Sequence, residues 1–186
     1  MSESDFAVLL LAAGRGSRFG GGKLAAPLAG KPLSRHASDR LATLPARRHL
    51  AICSAQTPEL PGFDRLILTP PDAPLATSIA TGISTLGPAS AVLIALADMP
   101  LVPTRHFQAL LAAFDGDRIA SRVDGRLMVP AVFGCRHFGA LLELEGDRGA
   151  GALLHDAQGV DLQASLAVDI DTAADLQRVA GAVRCV

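Results

Sequence analysis

The sequence lacks tryptophan, tyrosine and an excess of basic residues, which are features of many nucleic-acid-binding and membrane-binding proteins. None of its 186 residues is tryptophan or tyrosine, so the aromatic stacking platforms of single-strand nucleic-acid binders are poorly supported. Seventeen basic and eighteen acidic residues leave a formal net charge of −1. A chain without a basic excess has no general attraction for nucleic acid or for an anionic membrane. We therefore expect neither as a partner.

Cysteines and long apolar runs are also scarce. The three cysteines, Cys53, Cys135 and Cys185, are far apart and odd in number. This pattern argues against a disulfide scaffold or a zinc knuckle and favours a reducing compartment. The first apolar run, Phe6–Ala13, is too short to span a bilayer and lacks the basic flank of a signal peptide. We expect a cytoplasmic protein.

What the sequence does contain predicts an α/β fold. A hydrophobic content of 49% with 19% charged residues is typical of a globular chain, and we expect one domain over residues 1–186. Short apolar runs alternate with helical patterns, which favours a three-layer, Rossmann-like domain with a mostly parallel sheet. Strands are predicted at Phe6–Ala12, His49–Cys53, Arg65–Leu68, Ala91–Ala97, Ile119–Val123 and Leu127–Phe133. Helices are predicted at Leu33–Leu44 and on the apolar stripes that begin at Leu75, Phe107, Phe138 and Leu176, the last one after the capping box Thr172-x-x-Asp175.

A glycine-rich segment follows the first predicted strand. Five of the nine residues from Gly14 to Gly22 are glycine, which lets the backbone turn sharply and approach a ligand closely. With Arg15, Arg18 and Lys23, the exposed amides would form an anion cradle. The segment is not a Walker loop, because Lys23 precedes leucine, and Phe19 breaks the Rossmann glycine pattern. The alternative is a flexible turn with solvated arginines.

Three aspartates stand where the predicted topology places ligands, beyond the carboxyl ends of strands. Asp98 directly follows the predicted strand Ala91–Ala97, and Asp169 and Asp171 are two residues apart, on one face of an extended segment. Magnesium binds one or two protein carboxylates together with substrate phosphates. The alternatives are a turn aspartate at Asp98 and helix capping by the other two. Of that pair we favour Asp171 as the ligand, because it is nearer the strand end that we expect there.

The glycine-rich segment and the residues after it resemble a known signature. It reads Leu11-Ala-Ala-Gly-x-Gly-x-Arg-Phe-Gly, then Lys23-Leu24, Pro27-Leu28 and Gly30-Lys31-Pro32-Leu33. It resembles the nucleotidyltransferases that activate sugar phosphates, isoprenoid precursors and the molybdenum cofactor. The chain is most similar to the MobA-like molybdenum cofactor nucleotidyltransferases of the cytidylyltransferase type.

The resemblance implies a function, a cofactor and a set of site residues. The implied reaction transfers a nucleoside monophosphate, with CTP as the favoured donor, to the phosphate of a molybdopterin-type acceptor. The implied cofactor is Mg2+, and the implied further partner is a molybdoenzyme or its chaperone. The resemblance implies catalytic roles for Arg18, Lys23 and Asp98. The nucleotide would contact Leu11, Ala12, Ala13, Gly14, Gly16, Ser17, Thr77 and Ser78. Arg148 would bind the acceptor, and the metal would lie on Asp98, Asp171 and Asp169.

Other functions remain open from the sequence alone. A guanylyltransferase acting on the same cofactor, or a transferase acting on another phosphate acceptor, would share this chemistry. A dinucleotide-binding oxidoreductase is opposed by the lack of an acidic ribose ligand after the second strand. A non-catalytic cofactor chaperone would retain the same residues and release no pyrophosphate.

Overall fold

A computed structural model describes residues 5–14, 16, 19–70 and 73–182, in which strands alternate with five α-helices. The strands are β1 (Phe6–Ala12), β2 (Pro27–Leu28), β3 (Lys31–Pro32), β4 (Arg48–Cys53), β5 (Asp64–Ile67), β6 (Ala91–Leu96), β7 (Arg118–Val123), β8 (Arg126–Gly134) and β9 (Gln158–Asp161). The helices are α1 (Leu33–Leu41), α2 (Leu75–Leu86), α3 (Thr104–Ala113), α4 (Phe138–Leu142) and α5 (Ala173–Val179).

Seven strands form one sheet in the order β5-β4-β1-β6-β8-β7-β9. All of them run in the same direction except β8, which is antiparallel to both of its neighbours. The expected α/β class with a mostly parallel sheet is therefore confirmed. The register pairs Ala12 with Cys53, and Leu11 with Leu96. The carboxyl ends of β1, β4 and β6 consequently meet at one edge.

The sheet is covered on both faces because the side chains of β1 alternate between two cores. Val8 and Leu10 belong to the core that includes Leu33 of α1 and Phe107 of α3. Leu9 belongs to the opposite core, with apolar side chains of α2 and α4. Burial on both faces explains why β1 is apolar at every position. This arrangement confirms the expected three layers.

The structure departs from the sequence-based expectations in several places, and the short strands β2 and β3 are among the elements that were not predicted. β9 was not predicted, because two of its four residues are polar and the residues of β7 with which it pairs lie 39 positions earlier in the sequence. No strand ends near Asp171: residues 168–171 lie outside the sheet, although their alternation holds, with Ile170 buried between exposed Asp169 and Asp171. α1 ends at Leu41 instead of Leu44.

The capping box at the start of α5 is confirmed, with Thr172 and Asp175 each accepting from the other's backbone N–H. In the part of the chain that is described, no helix is both long and apolar enough to cross a membrane.

Candidate functional site

The glycine-rich segment turns back on itself directly after β1. The backbone carbonyl of Gly16 accepts hydrogen bonds from the N–H groups of Phe19 and Gly21, at 2.9 and 3.2 Å. Gly16 has φ +54°, and a Cβ at this position would lie 2.9 Å from the Cβ of Lys23. Glycine therefore permits both the left-handed backbone and the close packing against Lys23. The predicted residues Arg15, Ser17 and Arg18 lie outside the described residues.

Hydrogen bonds from α1 fix the backbone of the segment that carries Lys23. This lysine begins a short 3-10 helix, Lys23–Ala25, after Gly22 in the left-handed conformation. From the buried face of α1, the Ser34 hydroxyl donates to the carbonyl of Leu24 at 3.1 Å. His36 Nε2 donates to the carbonyl of Leu28 at 2.8 Å. The position of Lys23 thus depends on contacts with a helix that begins ten residues later.

Asp98 lies in the turn that follows β6, and backbone hydrogen bonds tie this turn to two other segments. The N–H of Ala97 donates to the carbonyl of Leu11 at the end of β1, at 3.1 Å. The N–H of Ile170 donates to the carbonyl of Asp98, also at 3.1 Å. The second bond brings the segment that carries Asp169 and Asp171 to the same edge of the sheet as Asp98.

The lysine and two of the aspartates form a compact charged group. Lys23 Nζ lies 2.6 Å from Asp98 Oδ2 and 3.5 Å from Asp171 Oδ1. The exposed fraction of the side chain is 7% for Lys23, 22% for Asp98 and 50% for Asp171. The second oxygen of Asp98, Oδ1, is buried and has no hydrogen-bond partner among the described residues. A buried carboxylate oxygen without a donor indicates a missing cation or donor at that point.

Asp169 adds a third carboxylate to this group. Its side chain reaches solvent on one side, but surrounding protein atoms desolvate the carboxyl. Together with the negative charges of Asp98 and Asp171, this desolvation raises the pKa of Asp169 to about 6, and Lys23 offsets only part of the effect. An added positive charge would therefore stabilise the ionised form of all three carboxylates.

A cleft of about 400 Å³ opens beside the charged group, at the carboxyl ends of β1 and β6. Six of the predicted site residues line it: Leu11, Ala13, Gly14, Lys23, Ser78 and Asp98. The sequence analysis missed several apolar lining residues and one acid: Leu24, Ala73, Leu75, Leu96 and Asp147. This placement agrees with the rule that ligands of open α/β sheets bind beyond the carboxyl ends of strands.

Other predicted residues lie near the cleft without lining it. Ala12 is fully buried, and its carbonyl accepts from the Thr57 hydroxyl at 2.7 Å. Thr77 and Arg148 are exposed, and neither is found among the described residues of the cleft wall. Asp147, beside Arg148, lines the wall instead, on a loop held against the start of α2 by a hydrogen bond from the N–H of Ala76 to the carbonyl of Gly146.

The donor set suits a hard divalent cation that is also held by a substrate. Among the described residues no group of three or more metal-ligating side chains is arranged to hold an ion by itself. Magnesium does not need such a cage, because it binds one or two carboxylates and completes its shell with phosphate oxygens and water. Asp98, whose Oδ1 has no hydrogen-bond partner within the described part of the chain, and the nearby Asp171 could supply these carboxylates.

Comparison with known proteins identifies the family and the fold. The family model described as "MobA-like NTP transferase domain" matches residues 8–162. The bifunctional protein GlmU of Rhizorhabdus wittichii is 32% identical over 133 residues, which are 63% of this chain and 28% of GlmU. The chain therefore spans less than a third of that relative.

Solved structures show the same fold at lower sequence identity. Rv0371c from Mycobacterium tuberculosis superposes with a TM-score of 0.84 at 20% identity, covering 96% of this chain and 99% of that one. Its complex with manganese has a TM-score of 0.78 at 19% identity, covering 98% and 100%. Mth528, a nucleotidyl transferase from Methanothermobacter thermautotroptrophicus, has a TM-score of 0.82 at 19% identity, covering 96% and 97%.

The range matched by the family model, residues 8–162, contains most of β1, the glycine-rich segment after it and Asp98. Asp169 and Asp171 lie beyond the matched range, so only the geometry connects them with the site. The chain therefore belongs to the MobA-like NTP transferase family.

Proposed function

We propose that the protein transfers CMP from CTP to the phosphate of the molybdenum cofactor and releases pyrophosphate. The observation that carries the proposal is the Lys23–Asp98 pair in a cleft that is also lined by Ala13 and Gly14, by several apolar side chains and by Ser78 and Asp147. Such a cleft offers cationic and backbone contacts to phosphates, and apolar surface to a base and a ribose. The choice of CTP rests on the similarity of Leu11–Gly14 to cytidylyltransferases.

The nucleotide would lie along the end of β1 and the start of α2. We assign its base and ribose to the backbone of Leu11, Ala12, Ala13 and Gly14 and to the Ser78 hydroxyl of the cleft wall, with the exposed Thr77 beside it on α2. Its β- and γ-phosphates would contact Lys23, Arg18 and the amides near Gly16 and Ser17. A lysine whose side chain is 7% exposed and lines the cleft provides a positive charge for a leaving pyrophosphate.

The reaction needs no nucleophile from the protein. An oxygen of the acceptor phosphate, which is already anionic, attacks the α-phosphorus of CTP, while the bond from this phosphorus to the β-bridging oxygen breaks. The electron pair of that bond leaves with pyrophosphate, where Lys23 and Arg18 stabilise the negative charge. The protein therefore acts by positioning two anionic partners and by neutralising their charge.

A divalent ion, which we take to be Mg2+, would be held by Asp98 and Asp171, with Asp169 close enough to add its charge. When bound, such an ion polarises phosphoryl oxygens and lowers the repulsion between two anionic reactants. The manganese complex of Rv0371c supports a divalent ion in a protein of this fold. The unpartnered Asp98 Oδ1 supports its placement here.

The acceptor would enter from the loop that follows α4. We assign Arg148 to the acceptor phosphate, because it is exposed beside Asp147 of the cleft wall. A molybdoenzyme or its chaperone would receive the product. We place the reaction in the cytoplasm and treat the chain as one domain. The thiols of Cys53 and Cys135, which are free in the structure, fit a reducing compartment.

Calorimetric titration of CTP, GTP, ATP, UTP and NAD, each with and without Mg2+, tests the nucleotide assignment. We expect Mg2+-dependent binding that is strongest for CTP. A preference for GTP would keep the chemistry and make the protein a guanylyltransferase. Binding of NAD alone would overturn the proposal, because the glycine turn would then serve a dinucleotide.

Pyrophosphate release with the molybdenum cofactor as acceptor tests the reaction itself. Lys23→Met should lower turnover by about two to three orders of magnitude, which is typical for loss of one group that stabilises developing charge. Lys31→Met is a matched control, since Lys23 and Lys31 are the only lysines of the chain. Tight nucleotide binding without pyrophosphate release would show a non-catalytic carrier instead.

A further inference from the structure

We propose that Lys23 occupies the cation position of the carboxylate site and that a divalent ion is loaded only after a nucleotide has drawn the lysine away. This inference rests on the proposed function, in which Asp98 and Asp171 hold the metal. It adds an order of events: the nucleotide phosphates bind first, and they open the site to the ion.

The position of the Lys23 ammonium carries the inference. Its nitrogen lies 2.6 Å from Asp98 Oδ2 and 3.5 Å from Asp171 Oδ1. Hard divalent ions bind carboxylate oxygens at about 2.0–2.6 Å, so an ion that bridges the carboxylates of Asp98 and Asp171 would need the space between them that the ammonium fills. The lysine and the ion therefore compete for Asp98 and Asp171.

Electrostatics make this competition strong. Lys23 is almost completely buried, and a buried charge is only weakly screened by salt. A doubly charged ion close to this ammonium would repel it, and the repulsion would cancel much of the attraction of the carboxylates for the ion. Among the described residues the ion pairs of Lys23 go to Asp98 and Asp171 alone. Phosphates bound in the cleft would offer the ammonium a new anionic partner.

The structure also allows the lysine to move. Its Cβ lies close to the backbone of Gly16, and the side chain lines the same cleft as Gly14 and Ser78, where we place the nucleotide. Rotation of the outer part of the side chain would bring Nζ from Asp98 to a phosphate in the cleft. Asp98 would then be left with both oxygens free of Lys23. Nucleotide and ion would bind cooperatively, because each favours the same position of the lysine.

Binding of Mn2+ alone, without nucleotide, tests this inference. The full chain is titrated with Mn2+, and the free ion is measured by electron paramagnetic resonance. We expect weak binding by the wild type and binding that is about tenfold or more tighter by Lys23→Met, because the competing charge has been removed. The control Lys31→Met removes the other Lys–Asp contact, Lys31 Nζ–Asp39 Oδ2 at 2.6 Å, and should bind Mn2+ like the wild type.

If the ion binds Asp98, a second substitution at that residue should change the Mn2+ affinity. Asp98→Asn, added to Lys23→Met, should abolish the gain in affinity. If the double variant keeps the tight binding, the ion lies elsewhere, and both this inference and the proposed metal site are wrong.

If Lys23→Met alone binds Mn2+ no tighter than the wild type, the competition is refuted while the transferase proposal stands. If Lys23→Met gains affinity as expected but the wild type releases no pyrophosphate with any nucleotide, the reaction is refuted and the competition stands.

Folding of the variants is checked by circular dichroism before titration. Lys23→Gln is the second variant, since a neutral amide can still donate a hydrogen bond to Asp98 and is less disruptive than a thioether. The same gain in Mn2+ affinity is expected for it. A gain in the methionine variant alone would contradict the charge argument.

Discussion

Substitution of Asp98 by asparagine should destabilise the fold, because it leaves the buried ammonium of Lys23 with a weaker partner. Removing one member of a fully buried ion pair costs about 3–5 kcal/mol. Here the Asp98 side chain is 22% exposed, and Asp171 remains 3.5 Å from the ammonium. Both features reduce the loss, and we expect a decrease of about 2–3 kcal/mol in the free energy of unfolding.

A double variant separates this charge effect from other damage at the site. Asp98→Asn combined with Lys23→Met has no unpaired ammonium, so we expect it to recover at least about 1 kcal/mol of the loss. The matched control is Asp39→Asn. Asp39 pairs with Lys31 and Arg35, but all three side chains are about one third exposed, and such pairs contribute about 0–1 kcal/mol.

Urea denaturation followed by far-ultraviolet circular dichroism measures these differences, since a chain without tryptophan and tyrosine has little useful fluorescence. Metal is removed with a chelator, so that only the protein's own charges are compared. A loss below about 0.5 kcal/mol for Asp98→Asn, the range of ordinary surface substitutions, would refute the argument that Asp98 is the main partner of a buried cation. Equal losses in the single and double variants would refute the charge as its cause.

Three further predictions concern the turn, the last helix and the pH dependence of folding. Gly16→Ala should cost about 2–4 kcal/mol of stability, from a left-handed alanine and its contact with the Cβ of Lys23, and it should also lower turnover. Thr172→Ala should cost about 1 kcal/mol in urea denaturation, because the capping hydrogen bond to the N–H of Asp175 is lost. Burial lowers the pKa of three histidines, His36, His49 and His106, below the ordinary value of 6.5. Below pH 6.5 the unfolded chain therefore binds protons more readily than the folded protein, and the free energy of unfolding should decrease as the pH falls. Above pH 6.5 this contribution to stability is fully present, and it is lost toward the lower pKa values of the folded state.

Each of these predictions has a contrary outcome. Gly20→Ala is the control for Gly16, because its φ is also positive while a Cβ there meets nothing within 4 Å. Equal effects of the two substitutions would remove the contact with Lys23 from the explanation. An unchanged urea midpoint for Thr172→Ala would show that the cap does not stabilise α5. Protonation of Asp169, whose pKa is raised to about 6, stabilises the fold in the same pH range and opposes the histidine effect, so the test uses an Asp169→Asn variant. A stability of this variant that stays constant from pH 7.5 to 5.5 would contradict the histidine argument.

Local sequence patterns predicted the elements whose form depends on their own residues. β1 is apolar at every position and is bounded by glycine, and the capping box before α5 needs only Thr172 and Asp175. The position of Asp98 directly after a buried strand was enough to place it at the ligand edge of the sheet. These predictions succeeded because hydrophobic periodicity and capping act over a few neighbouring residues.

Predictions failed or were missing where the structure depends on distant partners. β9 exists because β7 pairs with it, and its own residues carry no strand pattern. Asp171 was expected beyond a strand end, but a hydrogen bond between Ile170 and Asp98 places it there from an irregular segment. Asp147 enters the cleft wall because its loop is attached to α2. No pattern within these segments reports such contacts.

The sequence by itself therefore determined the class of fold, the glycine turn and the family resemblance, because short-range patterns of polarity and glycine specify them. Only the tertiary structure decided that Lys23, 75 residues from Asp98 along the chain, is buried against it. The pairing depends on α1 supporting the backbone of Lys23 and on the sheet aligning the ends of β1 and β6. A charge can remain buried only where the complete fold supplies an opposite charge, and the packing that supplies it forms between segments that are far apart in the sequence.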